Sequence, residues 1–177
     1  MRSVFNVIVI LIGFCSCDSM SRTDLKTQLN RNKGGFEAIA QRFLAQKSIK
    51  WISIYTDYDS SLCQSINEWS NCPSLNKKWE SWDDSLKTKI YLDTRDEVLN
   101  KCSINGDDYR YYFDFLKSQG LGQISVVYDC YGCVEFESKL NGLRYVTDNE
   151  NVLSEDEEYL TVERLEDNWY VYSRDWN

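Results

Sequence analysis

The chain contains no histidine. This absence excludes Ser-His-Asp and Cys-His catalysis, histidine general bases and histidine metal ligands. Only one proline and eight glycines occur, so the sequence also lacks low-complexity linkers. An enzyme built on this chain would have to use carboxylates, Lys, Tyr or Cys. We therefore expect a function other than catalysis, with no cofactor.

The one long apolar run, residues 4–14, is too short to span a membrane as a helix, which takes roughly 20 residues. It follows the positive charge of Arg2 and ends just before Ser16-Cys17. A short positive start, an apolar run and a small residue at the end indicate a signal segment over residues 1–17.

The end of this segment resembles the signal of bacterial lipoproteins, in which a small residue precedes a cysteine that becomes the lipidated N-terminus. Ser16-Cys17 carries the resemblance, which covers the signal alone and implies export and a lipid anchor at Cys17. Phe14 and Cys15 depart from the commonest pattern of an aliphatic and then a small residue. Cleavage after Cys17 by the ordinary signal peptidase is therefore the alternative.

The chain is acidic, with a net charge of −8. Removal of residues 1–17 removes Arg2 alone among the charged residues, which leaves 19 basic and 28 acidic side chains and a charge of −9. A surface of this sign repels nucleic acids and anionic lipid heads and attracts a basic partner. We expect no binding to nucleic acid. The alternative is that the charge serves solubility alone.

Residues 18–33 are polar, without an apolar stripe, and predict a tether between the membrane and a single domain over residues 34–177. Gly34-Gly35 then precede an apolar face of helical period, which predicts the first helix. The members of this face are Phe36, Ile39, Ala40, Phe43 and Leu44. The β-branched and aromatic segment 50–56 predicts a strand.

Further helices are predicted in the middle of the chain, after a loop-like segment over residues 57–73. A helical spacing follows, at Leu75, Trp79, Trp82 and Leu86. Residues 94–102 are a further candidate. Asp107 can cap another helix that stops at Gly120. Its apolar face has the members Tyr109, Tyr112, Phe113 and Leu116.

The apolar period changes to two in the C-terminal part. Residues 121–147 predict three antiparallel strands with turns near Tyr131-Gly132 and Asn141-Gly142. Residues 158–176 predict a final hairpin. The sequence thus predicts an α+β fold, with N-terminal helices packed on an antiparallel meander of about five to six strands.

Five cysteines follow the signal segment: Cys63, Cys72, Cys102, Cys130 and Cys133. The odd number leaves at least one free or paired outside the domain, and the spacing does not determine the pairing. Export favours disulfides among Cys63, Cys72, Cys130 and Cys133. A redox-active C-x-x-C pair needs a helix after it, and a strand is predicted after Cys133, so we expect a structural role. A zinc site at the same four cysteines is the alternative.

An acidic segment, residues 148–158, lies between the last predicted strands. It lacks the glycine and the ligand spacing of an EF-hand, and the simple alternative is a solvated loop. We predict a partner-binding edge here with apolar anchors beside it, because loops on a rigid scaffold carry function. The predicted residues are Glu155, Asp156, Glu157, Glu158, Tyr159 and Trp169.

Small size, acidity, export and the lack of catalytic equipment favour a lipid-anchored protein of the cell envelope that neutralises a basic exported protein. An immunity protein or an inhibitor of a cell-wall hydrolase fits this description. The alternatives are a structural or assembly lipoprotein of the envelope and an enzyme that uses carboxylates or thiols. Exposed aromatic residues can also bind glycans, but most aromatic residues here fall at spacings typical of a core.

Overall fold

The computed structural model describes residues 19–56, 60–127, 130–147, 159–166 and 168–174. These residues form three helices and one antiparallel sheet of ten strands. The helices are α1 (Arg22–Ala45), α2 (Arg95–Lys101) and α3 (Gly106–Gln119). The strands are β1 (Trp51–Thr56), β2 (Leu62–Ile66), β3 (Trp69–Cys72), β4 (Asn76–Asp83), β5 (Thr88–Leu92), β6 (Gln123–Val126), β7 (Cys133–Ser138), β8 (Asn141–Val146), β9 (Tyr159–Glu166) and β10 (Trp169–Arg174).

The sheet consists of two groups of strands that meet at its centre. Its order is β5-β4-β3-β2-β1-β6-β7-β8-β10-β9. Strands β1 to β5 form one meander, and the chain then passes through α2 and α3 before β6 pairs with the other side of β1. In the second group β10 lies between β8 and β9. The predicted α+β class fits this architecture, but only α1 precedes the strands and the predicted strand number is too low.

Helix α1 begins earlier than predicted. Ser21 and Asp24 form a capping box at its start, so the helix runs from Arg22 through the segment predicted as a tether. Leu25 and Leu29, one turn apart, are buried on the same side as Phe36 and bring this first half onto the sheet. The backbone leaves helical geometry at Asn32, so α1 is kinked there and its second part begins close to the predicted start at Gly34-Gly35. The prediction of a tether from Arg22 onward is wrong.

The largest correction concerns residues 57–86. The stretch predicted as a loop contains β2 and β3, and the stretch predicted as a helix contains β4 and the turn into β5. Trp79 and Trp82 are three residues apart, which places them on one side of a helix but on opposite faces of a strand. Trp79 is buried, whereas Trp82, Leu75 and Leu86 are exposed. These missed strands account for the low predicted number.

The remaining predicted elements are confirmed. Helices α2 and α3 form with N-caps at Thr94 and Asn105, and Gly120 ends α3 in the left-handed conformation. The predicted cap of α3 at Asp107 is wrong, because Asp107 lies in the first turn and its backbone N–H donates to the Asn105 side chain. Strand β1, the three strands between 121 and 147 and the final hairpin are present. The turn between β7 and β8 lies at Lys139 and the residue after it, where Lys139 has a positive φ, rather than at Asn141-Gly142, which begin β8.

Candidate functional site

The two faces of the sheet differ in what covers them. On the helix face, Ile52, Phe136 and Val171 belong to a core that includes every buried residue of the three helices. Side chains alternate along a strand, so the neighbours of these residues point to the opposite side. No described helix contributes a buried residue to that second side, which we call the open face.

The strand registers align a row of open-face residues across all ten strands. Its members are Val162, Tyr172, Gly142, Glu137, Gln123, Ser53, Ser65, Ser70, Glu80 and Tyr91. Tyr172 is buried, whereas Tyr91, at the far end of the row, is exposed. The open face therefore has a buried half over β7 to β10 and an accessible half over β1 to β5.

The buried half contains an ion-pair cluster. Its members are Glu135, Glu137, Arg144, Arg174, Tyr159 and Tyr172. Glu135 and Arg144 are cross-strand partners, and the Arg144 Nε donates to Glu135 Oε1 at 2.8 Å. Arg174 bridges both carboxylates, at 2.5 Å to Glu135 and 2.6 Å to Glu137. The two carboxylates and the two guanidinium groups balance in charge, which offsets part of the cost of burying them.

The two tyrosines complete the hydrogen bonding of this cluster. Tyr159 Oη accepts from Arg174 at 2.9 Å and donates to Glu135 Oε1 at 3.1 Å. Burial raises the pKa of Tyr159 to about 12, and the Glu135 carboxylate acts in the same direction, so this hydroxyl stays a donor. Tyr172 Oη donates to Glu137 at 3.2 Å. Its ring lies over Gly142, where a Cβ atom would overlap it, so only glycine fits there.

Glu137 is the titratable group of the cluster whose charge changes near neutral pH. Burial raises its pKa to about 7; the guanidinium of Arg174 lowers it, and the neighbouring carboxylate of Glu135 raises it. Gln123, from β6, donates at 3.2 Å to Oε2 of Glu137, the carboxylate oxygen that Tyr172 does not contact. The effect of burial thus outweighs the ion pair, and Glu137 takes up a proton far more readily than an exposed glutamate.

This raised pKa predicts a pH dependence of stability. The pKa of Glu137 is about 7 in the folded protein and 4.5 in the unfolded chain, so the proton on Glu137 stabilises the fold. This contribution is complete below pH 4.5 and is lost as the pH rises through about 7. We expect the free energy of unfolding of the wild type, relative to Glu137→Gln, to fall between pH 4.5 and 8 by up to about 1.4 kcal/mol per pH unit. Urea denaturation of both proteins across this range measures the difference, and a difference that does not change with pH would contradict the assignment.

The accessible half has a different composition, and we call it the aromatic half-face. Tyr55, Trp82 and Tyr91 are exposed, and Trp51 is partly exposed. Between them lie Ser53, Ser65 and Ser70, which occupy neighbouring positions of three adjacent strands. Its charges are paired, Lys89 with Glu80 at 2.9 Å and Lys78 with Asp93 at 2.7 Å. This half therefore presents large rings and small hydroxyl groups with little net charge.

The predicted anchors for a partner lie in the interior. Tyr159 belongs to the ion-pair cluster, and Trp169 lies in the core of the helix face. Neither is accessible to a partner, and the prediction is corrected for both. The predicted acidic residues Glu155, Asp156, Glu157 and Glu158 lie outside the described residues, as does Cys17.

Sequence reasoning missed the exposed aromatic residues of β4 and β5. The missed signal was the turn between these strands, where Asp83 Oδ1 accepts from the backbone of Ser85 and Leu86. A carboxylate that closes such a turn before the β-branched and aromatic segment 88–92 is typical of a hairpin.

Two disulfides support the sheet. Cys63 and Cys72 are bonded between β2 and β3, with Cys63 opposite Tyr55 on the open face. Cys130 and Cys133 are bonded at the turn into β7. Cys102 is the free cysteine of the described residues, and burial raises the pKa of its thiol. The two bonds join the four cysteines for which the sequence predicts disulfides, and both lie at strands or turns of the sheet.

The described residues contain no group of three or more Cys, Asp or Glu side chains placed to hold a metal ion. None of their helices is both long and apolar enough to cross a membrane. The chain matches no protein-family model, and the comparisons with curated proteins and with solved structures found no match.

Proposed function

We propose that this chain is an exported, lipid-anchored protein that acts by binding another protein through the aromatic half-face. The observation that carries the proposal is the exposure of Tyr55, Trp82 and Tyr91 on a face of the sheet where no described helix packs. Large aromatic side chains exposed on one face of a rigid sheet mark a candidate binding surface.

The composition of the half-face suits a protein partner. Trp and Tyr supply large contact areas at a low cost in conformational entropy, and serine supplies adaptable hydrogen bonds, as in antibody paratopes. Five strands at about 4.8 Å spacing make this surface roughly 20 Å wide, which matches the central region of a protein interface. Lys89 forms an ion pair with Glu80, and Lys78 forms one with Asp93. A partner that covers this surface therefore buries these lysines as ion pairs and not as single charges.

The net charge of −8 favours a basic partner. Charge outside the contact area steers a partner of opposite sign and raises the association rate, while the aromatic anchors supply the affinity. A basic exported toxin or a cell-wall hydrolase has this chemistry, so we propose that the protein neutralises one of these. The predicted acidic edge at Glu155 to Glu158 remains part of this proposal, as a steering surface.

Replacing Trp82 by alanine is expected to weaken partner binding at least about tenfold, because truncation of an aromatic residue that anchors an interface costs about 2 kcal/mol. Tyr111→Ala is the matched control, since Tyr111 is also an exposed aromatic residue but lies on α3, on the other side of the sheet. Tagged wild-type protein first captures the partner from an envelope extract. Calorimetry with the purified partner then gives the affinity of the wild type and both variants.

Two results would contradict the proposal. Equal affinity of the wild type and Trp82→Ala would exclude the aromatic half-face as the binding surface. An acidic partner would contradict the argument from charge. Capture of a polysaccharide that Trp82→Ala no longer binds would keep the surface but replace the protein partner by a glycan.

A further inference from the structure

The first described residues of the chain are attached to one end of the sheet. Met20 N donates to the Ser138 hydroxyl at 2.9 Å, and Asn141 Nδ2 donates to the Met20 carbonyl oxygen at 2.7 Å. Ser138 and Asn141 flank the turn between β7 and β8, and the Ser138 side chain is buried. The N-terminal segment therefore reaches the domain at this turn, where hydrogen bonds hold it, and not through the tether that the sequence predicts.

The covalent chain limits how far Cys17 can lie from this turn. Only Asp18 lies between Cys17 and Ser19, and two residue steps of fully extended chain span at most about 7 Å. Ser19 itself donates through its hydroxyl to the Ser138 carbonyl oxygen at 3.4 Å. A lipid on Cys17 would therefore hold the turn between β7 and β8 within a short distance of the bilayer.

The antiparallel order shows which other parts of the chain lie at this end, which we call the anchor end. β7 runs toward it and β8 away from it, so the end of β1, the start of β2 and the turn between β3 and β4 also lie there. The start of β9 joins them, since Tyr159 pairs with Arg174 and Arg174 N donates to the Leu140 carbonyl oxygen.

Exposed leucines are concentrated at the anchor end. They are Leu62 at the start of β2, Leu75 in the turn after β3, Leu140 in the turn after β7 and Leu160 in β9. Leu75 is 85% exposed, although leucine gains free energy from leaving water. At the opposite end the exposed leucine is Leu86, in the turn between β4 and β5, and Tyr131 is exposed in the turn before β7.

We propose that the anchor end is a membrane-contacting surface, with its leucines in the interface of the bilayer below Cys17. This proposal rests on the lipid anchor of the proposed function. The protein's charge of −8 is repelled by anionic lipid heads, so the surface fits a zwitterionic bilayer. With the strands rising from the membrane, Trp82, next to the last residue of β4, lies near the end of the sheet away from the lipid and is open to a partner from the side.

Photo-crosslinking tests this orientation in the full-length lipidated protein, reconstituted in phosphatidylcholine vesicles. p-Benzoyl-phenylalanine replaces Leu75 or Leu140 at the anchor end and, as the matched control, Leu86 at the opposite end. We expect severalfold more crosslinking to lipid from the first two positions. In a variant with about 20 flexible Gly/Ser residues inserted between Asp18 and Ser19, this selectivity should decrease, because the domain is no longer held at the surface.

Palmitate labelling of the same proteins separates the two proposals, with Cys17→Ser as the unlabelled control. Labelled protein with equal crosslinking at Leu75, Leu140 and Leu86 overturns the membrane-contacting surface but leaves the anchor intact. If Leu75 and Leu140 still crosslink to lipid more than Leu86 in the variant with the inserted linker, the short connection between Cys17 and the sheet does not orient the domain. A wild type without label, equal to Cys17→Ser, removes the anchor and with it the proposed surface.

Discussion

Replacing Glu135 by glutamine is expected to lower the free energy of unfolding by about 3–5 kcal/mol, since removing one partner from a buried ion pair leaves an uncompensated charge. Glu135 is 2% exposed and accepts from both Arg144 and Arg174. Glutamine has nearly the same shape but no charge, so Arg144 would lose the carboxylate it pairs with, and Arg174 would keep that of Glu137. The loss is large against the 5–15 kcal/mol that typically stabilise a domain.

Glu163→Gln is the matched control for this prediction. Glu163 also accepts from two cations, Arg22 and Lys26, but its side chain is 43% exposed. Water solvates these charges when the pair is broken, so we expect a far smaller loss of stability than in Glu135→Gln. Guanidinium denaturation at pH 7 compares the two variants with the wild type. Equal losses would show that burial does not set the energy of the ion-pair cluster.

The sequence alone predicts the second half of the sheet well because its strands alternate regularly. In β7, Val134 and Phe136 alternate with Glu135 and Glu137, and the structure shows this alternation on the helix face and the open face. Strands β3 and β5 are short, and in β4 the two tryptophans lie three residues apart. Two tryptophans three residues apart are compatible with one face of a helix, and equally with a strand in which one ring is buried and the other is exposed. The local pattern therefore does not decide between a helix and a strand.

The ion-pair cluster could not be predicted for a different reason. Charged residues that alternate with apolar ones, as Glu135 and Glu137 do, are typical of a solvated strand face. Their burial depends on the pairing of β7 with β8 and of β8 with β10, which places Arg144 and Arg174 beside them. The order β8-β10-β9 departs from the order of the chain, and a single sequence does not show such a register.

The structure also predicts opposite results at two tryptophans that composition alone does not distinguish. Trp169 is fully buried, and its ring lies 5.0 Å from Tyr145, 5.9 Å from Phe136 and 6.0 Å from Phe36, measured between centroids. Its indole N–H has no hydrogen-bond partner among the described residues, so truncation removes packing rather than a polar contact. Trp82 is 56% exposed on the aromatic half-face.

Trp169→Ala is therefore expected to lower the free energy of unfolding by about 3–5 kcal/mol, through the lost burial and the cavity left in the core. Trp82→Ala should change it by less than about 0.5 kcal/mol, while it weakens partner binding. Urea denaturation followed by near-ultraviolet circular dichroism compares the two, and Trp169→Phe gives a measurable intermediate loss if the alanine variant does not fold. A large loss at Trp82 together with a small one at Trp169 would mean that the two rings have exchanged roles. It would also support the surface anchor that the sequence predicts at Trp169 and contradict the assignment of the aromatic half-face.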